Sequence, residues 1–120
     1  MSRALSFTRA TQYQPLTAET LEGMSHLFGA LAEPMRLRLI QQLLAGEKNV
    51  GELVAATSAS QSNISHHLRL LLEVAVISRR KAGLQVYYRI SDPLLAKFYD
   101  LAKLNYERAI TAQAKAFKRQ

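Results

Sequence analysis

The chain has 120 residues, 48% of them hydrophobic, with no cysteine and a net charge of +7. That length and composition fit one domain with its own core, and the missing thiols exclude disulfides, thiolate metal sites and redox-switch chemistry, which fits a reducing cytoplasm. No stretch approaches the ~20 apolar residues of a membrane span, and the opening MSRALSFTRATQYQP lacks the apolar centre of a secretory signal.

Residues 1–16 are polar and aperiodic and read as a flexible arm ahead of a domain spanning 17–120. Thr17 is placed to cap a first helix, and Thr20 stands three residues on, where a capping box wants Glu. Leu21, Met24, Leu27, Phe28 and Leu31 then recur at helical spacing. Glu33-Pro34 breaks that helix and opens a second. Its Met35, Leu37, Leu39, Ile40, Leu43 and Leu44 predict a largely buried element, closed by Gly46. Val50, Leu53 and Val54 mark a short third helix, and Thr57-Ser58-Ala59-Ser60 a turn. Ser60 caps a fourth helix from about Gln61, with Ile64, Leu68, Leu71, Leu72 and Ala75 facing inward.

The period then changes from 3.6 to 2. Val76 to Lys81 and Leu84 to Ile90 predict two strands joined at Ala82-Gly83, where Gly83 can take positive φ. Asp92 as cap and Pro93 at the first position open a long last helix with an apolar face of Leu94, Leu95, Phe98, Leu101, Ala102 and Leu104. The pattern weakens past Tyr106, which predicts a frayed end. The fold class is therefore mainly α with a small β-hairpin. Four helices, a two-stranded basic wing and one long C-terminal helix make a winged helix-turn-helix.

Charge is unevenly spread. Residues 17–59 carry Glu19, Glu22, Glu33, Glu47 and Glu52 against Arg36, Arg38 and Lys48, a net of −2. Residues 60–91 carry Arg69, Arg79, Arg80, Lys81 and Arg89 against Glu73, a net of +4. A basic block behind a mildly acidic one favours a polyanion partner, because each phosphate neutralised releases counterions. On the fourth helix Gln61, Ser62, Ser65, His66 and Arg69 share a polar side opposite Ile64, Leu68 and Leu71. Short hydrogen-bonding groups near a helix N-terminus suit base edges and phosphates in a major groove. On the hairpin, alternation puts Arg79 and Lys81 on one face and Arg80 on the other, with Gln85 beyond the turn. These are the candidate phosphate contacts.

Leu31 to Ile40, Val50-Gly51-Glu52-Leu53, Ser60 to Leu68 and Val86-Tyr87-Tyr88-Arg89-Ile90 together resemble the ArsR/SmtB family of bacterial winged-helix repressors. The resemblance runs from about Leu27 to Leu101, spacing included. Ser60 to Leu68 looks like the recognition helix of zinc-sensing members. The resemblance implies a homodimer on inverted-repeat operator DNA, with Ser60, Gln61, Ser62, Ser65 and His66 at the DNA. It also implies an interface on the first and last helices, through Leu21, Met24, Leu27, Leu94, Phe98, Leu101 and Asn105. The expected location is the cytoplasm, at the nucleoid.

The family's sensor ligands are missing. Aligned with its cysteine segment, Glu47 to Leu53 has Asn49 and Gly51 at the two cysteine positions. On the last helix Asp92 keeps its place, but Leu94, Asn105 and Arg108 occupy the other three. One carboxylate does not hold zinc, so no metal and no cofactor are expected. Asp92 is better explained as a cap. His66 and His67 point about 100° apart on a helix and do not chelate one ion together. His26 belongs at the surface of the first helix. An unidentified non-metal effector stays open, with Phe98, Tyr99, Tyr106 and Phe117 either lining its pocket or packing a dimer. A sequence-neutral architectural DNA-binding protein is the alternative function; a polar recognition face argues against it, since coating needs only Lys and Arg. No catalytic constellation supports an enzyme.

Overall fold

The computed structural model describes residues 14–119. Most of the expected arm lies outside the described residues. Gln14, Pro15 and Leu16 within them are exposed and without regular structure.

Four helices come first: α1 (Ala18–Leu31), α2 (Pro34–Leu44), α3 (Val50–Thr57) and α4 (Gln61–Glu73). Strand β1 (Lys48–Asn49) falls between α2 and α3, and β2 (Ile77–Ala82), β3 (Gln85–Ile90) and α5 (Leu94–Arg119) follow. The caps follow local chemistry. Thr17 Oγ1 accepts from the Thr20 amide at 3.0 Å, and Ser60 Oγ accepts from the Asn63 amide at 3.2 Å. Glu33, ahead of Pro34, accepts from the Met35 amide at 2.6 Å. Asp92 Oδ1 accepts from the Leu94 amide at 2.9 Å, so its role as a cap is visible directly.

Leu39, Ile40 and Leu43 of α2, Leu53 of α3, and Ile64, Leu68 and Leu71 of α4 form one buried cluster with Ile77 of β2 and Tyr88 of β3. The helical stripes thus converge on one core, as their spacing requires. The turn between α3 and α4 is fixed from below. Buried Thr57 donates its hydroxyl to the Leu53 carbonyl at 2.7 Å, and Ser58 adopts the left-handed conformation, φ 60°.

Several expectations change. The two-stranded wing, β2 with β3, is joined by a strand that was not expected: β1 pairs antiparallel with β3, Lys48 opposite Tyr88 and Asn49 opposite Tyr87, giving a sheet ordered β1-β3-β2. A two-residue strand is too short to display a period of 2. The hairpin turn is Gly83-Leu84 rather than Ala82-Gly83, since Ala82 pairs with Gln85. Gly83 does take positive φ, 63°. The Gly46 cap shifts by one: Ala45 closes α2 and Gly46 follows at φ 148°. Ala75 does not face inward; α4 ends at Glu73, and Ala75 is exposed at φ 62°. The last helix does not fray at Tyr106 but continues to Arg119. Its later half lacks a core-facing stripe yet is rich in alanine, a strong helix former. Lys103 pairs with Glu107 one turn on at 3.2 Å, and Lys118 and Arg119 complement the helix dipole at its end.

Leu68 is 1% exposed at the centre of the cluster. Leu68→Ala is expected to cost about 2–5 kcal/mol, the usual range for a leucine truncated in a packed core. Urea unfolding followed by circular dichroism measures it.

Candidate nucleic-acid interface

Helix α4 has two sides. Ile64, His67, Leu68 and Leu71 are buried, and Gln61, Ser62, Ser65, His66 and Arg69 are exposed. The Ser60 cap leaves the exposed N-terminal turn with amides pointing outward, a favourable place for an anionic group. Ser60 and Ser62 hydroxyls lie 3.4 Å apart, and Arg69 Nη2 lies 2.9 Å from His66 Nδ1. Arg69 only donates, so the neutral His66 ring accepts there and carries its proton on Nε2.

The wing closes on this face. Ser62, Ser65, His66, Arg69 and Leu72 of α4 line a cleft of about 470 Å³ together with Arg79 of β2 and Tyr88 of β3. A second groove, about 370 Å³, brings Gln61 beside Gln85, with Val50, Gly51, Val54, Leu84 and Val86 around them. Of the expected DNA contacts, Ser62, Ser65, His66, Arg69 and Arg79 thus line one depression, and Gln61 and Gln85 another. Lys81 is exposed on the same strand as Arg79 and in register with Val86.

Arg80 is placed differently. Its Nε and Nη2 donate to the two carboxylate oxygens of Glu47 at 2.8 and 2.7 Å, and its guanidinium lies 5.0 Å from the Tyr87 ring centroid. The Arg80 hydrogen bonds hold the Glu47 carboxyl below its ordinary pKa. Glu47 immediately precedes β1, so this fork ties the hairpin to the α2–α3 connection. At the start of α3, Asn49 Oδ1 accepts from the Glu52 amide at 2.8 Å while Glu52 accepts from the Asn49 amide at 2.9 Å. Asn49 is thus a capping-box residue.

The sequence reading missed a buried polar group. His67 is 8% exposed. Its Nδ1 lies 3.2 Å from Arg36 Nη1, and its Nε2 lies 3.4 Å from Glu33 Oε2. Arg36 Nε donates to the Ala30 carbonyl at 2.5 Å. The signal was available: His67 lies three residues after Ile64 and four before Leu71, on the buried stripe. His26 is exposed on α1, as expected.

The expected interface residues lie on α1 and α5. Leu21, Met24, Leu94, Leu101 and Asn105 are exposed, Phe98 is at the margin of exposure and Leu27 is half-buried. The Phe28 and Phe98 rings meet at 5.8 Å between centroids. Beside them an apolar pocket of about 340 Å³ is lined by residues that include Leu31, Leu37, Ile40, Leu95 and Tyr99. Of the four aromatic residues considered for an effector pocket, Phe98 and Tyr99 line it. Tyr106 and Phe117 stand apart and exposed further along α5. Among the described residues no three His, Asp or Glu side chains converge as metal ligands, and no helix is long and apolar enough to cross a membrane.

Comparison with known proteins matches residues 33–78 to the bacterial regulatory proteins of the arsR family. The transcriptional repressor SmtB homolog of Synechocystis sp. is 35% identical over 79% of this chain and 72% of that protein. A probable mercury resistance operon repressor of Streptomyces lividans is 35% identical over 85% of this chain and 80% of that protein. Among solved structures, the homodimeric winged helix-turn-helix DNA-binding domain of a Mycobacterium bovis protein superposes with a TM-score of 0.71. It is 25% identical and covers 78% of this chain and 90% of that one.

Ser60→Ala is expected to cost about 1 kcal/mol by removing the α4 cap, and Ser60→Asp to restore it, since either side chain accepts from the same amide. Thermal unfolding of the two variants tests the cap.

Proposed function

The chain belongs to the arsR family of bacterial regulatory proteins, and from that premise we propose how it works as a DNA-binding transcriptional repressor. It acts as a homodimer on an inverted-repeat operator, with α4 in the major groove and the wing on the flanking backbone. The observation that carries this is the cleft in which Arg79 of the wing faces Ser62, Ser65, His66 and Arg69 of α4. One surface then offers groups for base edges and a cation for phosphate at once.

Roles divide by position. Gln61, Ser62, Ser65 and His66 reach base edges and nearby phosphates from the first two turns of α4. Ser60 adds the cap, and the outward amides of that turn favour a phosphate. Arg69, Arg79 and Lys81 supply backbone contacts, and Gln85 supports Gln61 in the second groove. Arg80 holds the wing through Glu47 rather than meeting DNA. Sequence-neutral coating is not favoured, because the protruding face of α4 offers hydrogen-bonding variety rather than lysine density, and the family is one of regulators rather than enzymes.

The second copy covers α1 and α5. Neither helix has a fully buried residue, yet both carry exposed leucines, and the Phe28–Phe98 contact already links the two stripes. Burying such faces removes apolar area from water at about 25 cal/mol per Å². A non-metal effector, if the protein uses one, enters at the adjoining apolar pocket. The place of action is the cytoplasm, at the nucleoid.

Duplexes selected by the protein from a random-sequence pool, then competed against unselected DNA, test the assignment. Gln61→Ala with Ser65→Ala is expected to bring the specificity ratio close to one while the fold is kept; an unchanged ratio overturns the role of α4. Arg79→Ala is expected to reduce the slope of log affinity against log salt by about one, the signature of one lost phosphate contact. Arg80→Ala is expected to leave that slope unchanged. Leu101→Glu is expected to yield monomers by light scattering and to weaken operator binding.

A further inference from the structure

The buried histidine on the inner side of α4 has no part in touching DNA, yet its partners are chosen. Arg36 is always a donor, so the 3.2 Å contact to His67 Nδ1 makes that nitrogen the acceptor. The neutral ring then carries its proton on Nε2, which faces Glu33 Oε2 at 3.4 Å. The second Glu33 oxygen accepts from the Met35 amide at 2.6 Å. On its other side Arg36 reaches the end of α1, with Nε on the Ala30 carbonyl at 2.5 Å and Nη2 on the Gly29 carbonyl at 3.4 Å. The last carbonyls of α1, the first turn of α2 and the middle of α4 are therefore joined by three side chains. No buried side-chain polar atom among the described residues lacks a partner.

We propose that Glu33, Arg36 and His67 are positioning residues that hold α4 at its DNA-competent angle to α1, and that only the neutral form of His67 does so. This rests on α4 being the recognition helix. A proton on Nδ1 puts an N–H against the Arg36 N–H and a positive ring beside a guanidinium. The contact to Arg36 is lost, and with it the tie between α4 and the end of α1. Because α1 belongs to the proposed dimer interface, the spacing of the two α4 helices across an operator depends on that tie.

The charged environment agrees. Burial lowers the pKa of His67 from its ordinary 6.5, Glu33 opposes that, and Arg36 and His66 lower it further. Those three are the charged or titratable groups acting on the ring. From α1 it is the Gly29 and Ala30 carbonyls that complete the network, through Arg36. The folded chain holds this proton less readily than the unfolded chain. The stability that neutral His67 contributes is thus complete above pH 6.5 and is lost as the pH falls below it toward the depressed folded value.

The test uses the full chain and a duplex that the wild-type protein selects from a random-sequence pool. Affinity is followed by fluorescence anisotropy at fixed salt from about pH 7.5 to about pH 5.5, across the histidine range, for wild type and His67→Gln. Glutamine keeps one acceptor and one donor site but takes no proton, so the ratio of the two affinities reports the His67 side chain. One linked proton changes affinity by at most about tenfold per pH unit, and wild type is expected to weaken by about threefold or more relative to His67→Gln. Coincident profiles would overturn the relay while leaving α4 as the recognition helix. Failure of wild type to select any duplex would overturn that assignment itself, and the relay's role with it. The ring signals of His67 in NMR provide a readout of wild type alone, should His67→Gln not fold. Titration below 6.5, moving upward in Arg36→Gln, is expected; titration at or above that value, or no response to Arg36→Gln, overturns the proposal.

Discussion

The seating of Ile64, Leu68 and Leu71 against Leu39, Leu53 and Ile77 sets every outward feature of this molecule. One helix contributes the middle of the core with one stripe and offers its polar side to solvent with the other. The rotation of α4 about its axis is therefore fixed by apolar packing, which tolerates little slippage. Ser62, Ser65, His66 and Arg69 face outward because the leucines face inward. A turn made by Ser58 in the left-handed conformation, with Thr57 bonded beneath it, starts the helix where that packing needs it.

The wing has a different problem. A two-stranded hairpin is only marginally stable in water, and this one carries Arg79, Arg80 and Lys81 in succession. Two devices steady it. The short strand β1 adds a third row of backbone pairing, and Glu47 takes the Arg80 guanidinium in a bidentate fork over Tyr87. Strand alternation sends Arg80 toward that anchor and Arg79 toward α4. Adjacent arginines of one type thus receive opposite tasks from the pleat alone.

At the positions where the family resemblance would place metal-sensing ligands, this chain has Asn49, Gly51, Leu94, Asn105 and Arg108. Asn49 has become a helix cap, and Asp92 caps α5. Among the described residues the buried histidine is His67, joined to both the second helix and, through Arg36, the first. In the proposed relay, a charge change there acts on the angle between elements.

By itself the sequence determined the order of the five helices and the two wing strands, the helix caps at Thr17, Ser60 and Asp92, the winged fold class and the polar side of α4. All of these are local matters: a period of 3.6 or 2, and a side chain within three residues of the amide it caps. Resemblance in four spaced segments added the family. Tertiary structure alone decided that Lys48 and Asn49 form a strand, since two residues show no period and only β3 beside them gives the pairing. It decided that Arg80 meets Glu47, 33 residues away, and that His67 meets Arg36, 31 residues away. It decided also that Phe28 and Phe98 share one apolar face. Pairings across such distances depend on how helices are angled over a common core, and one-dimensional spacing carries no such angle.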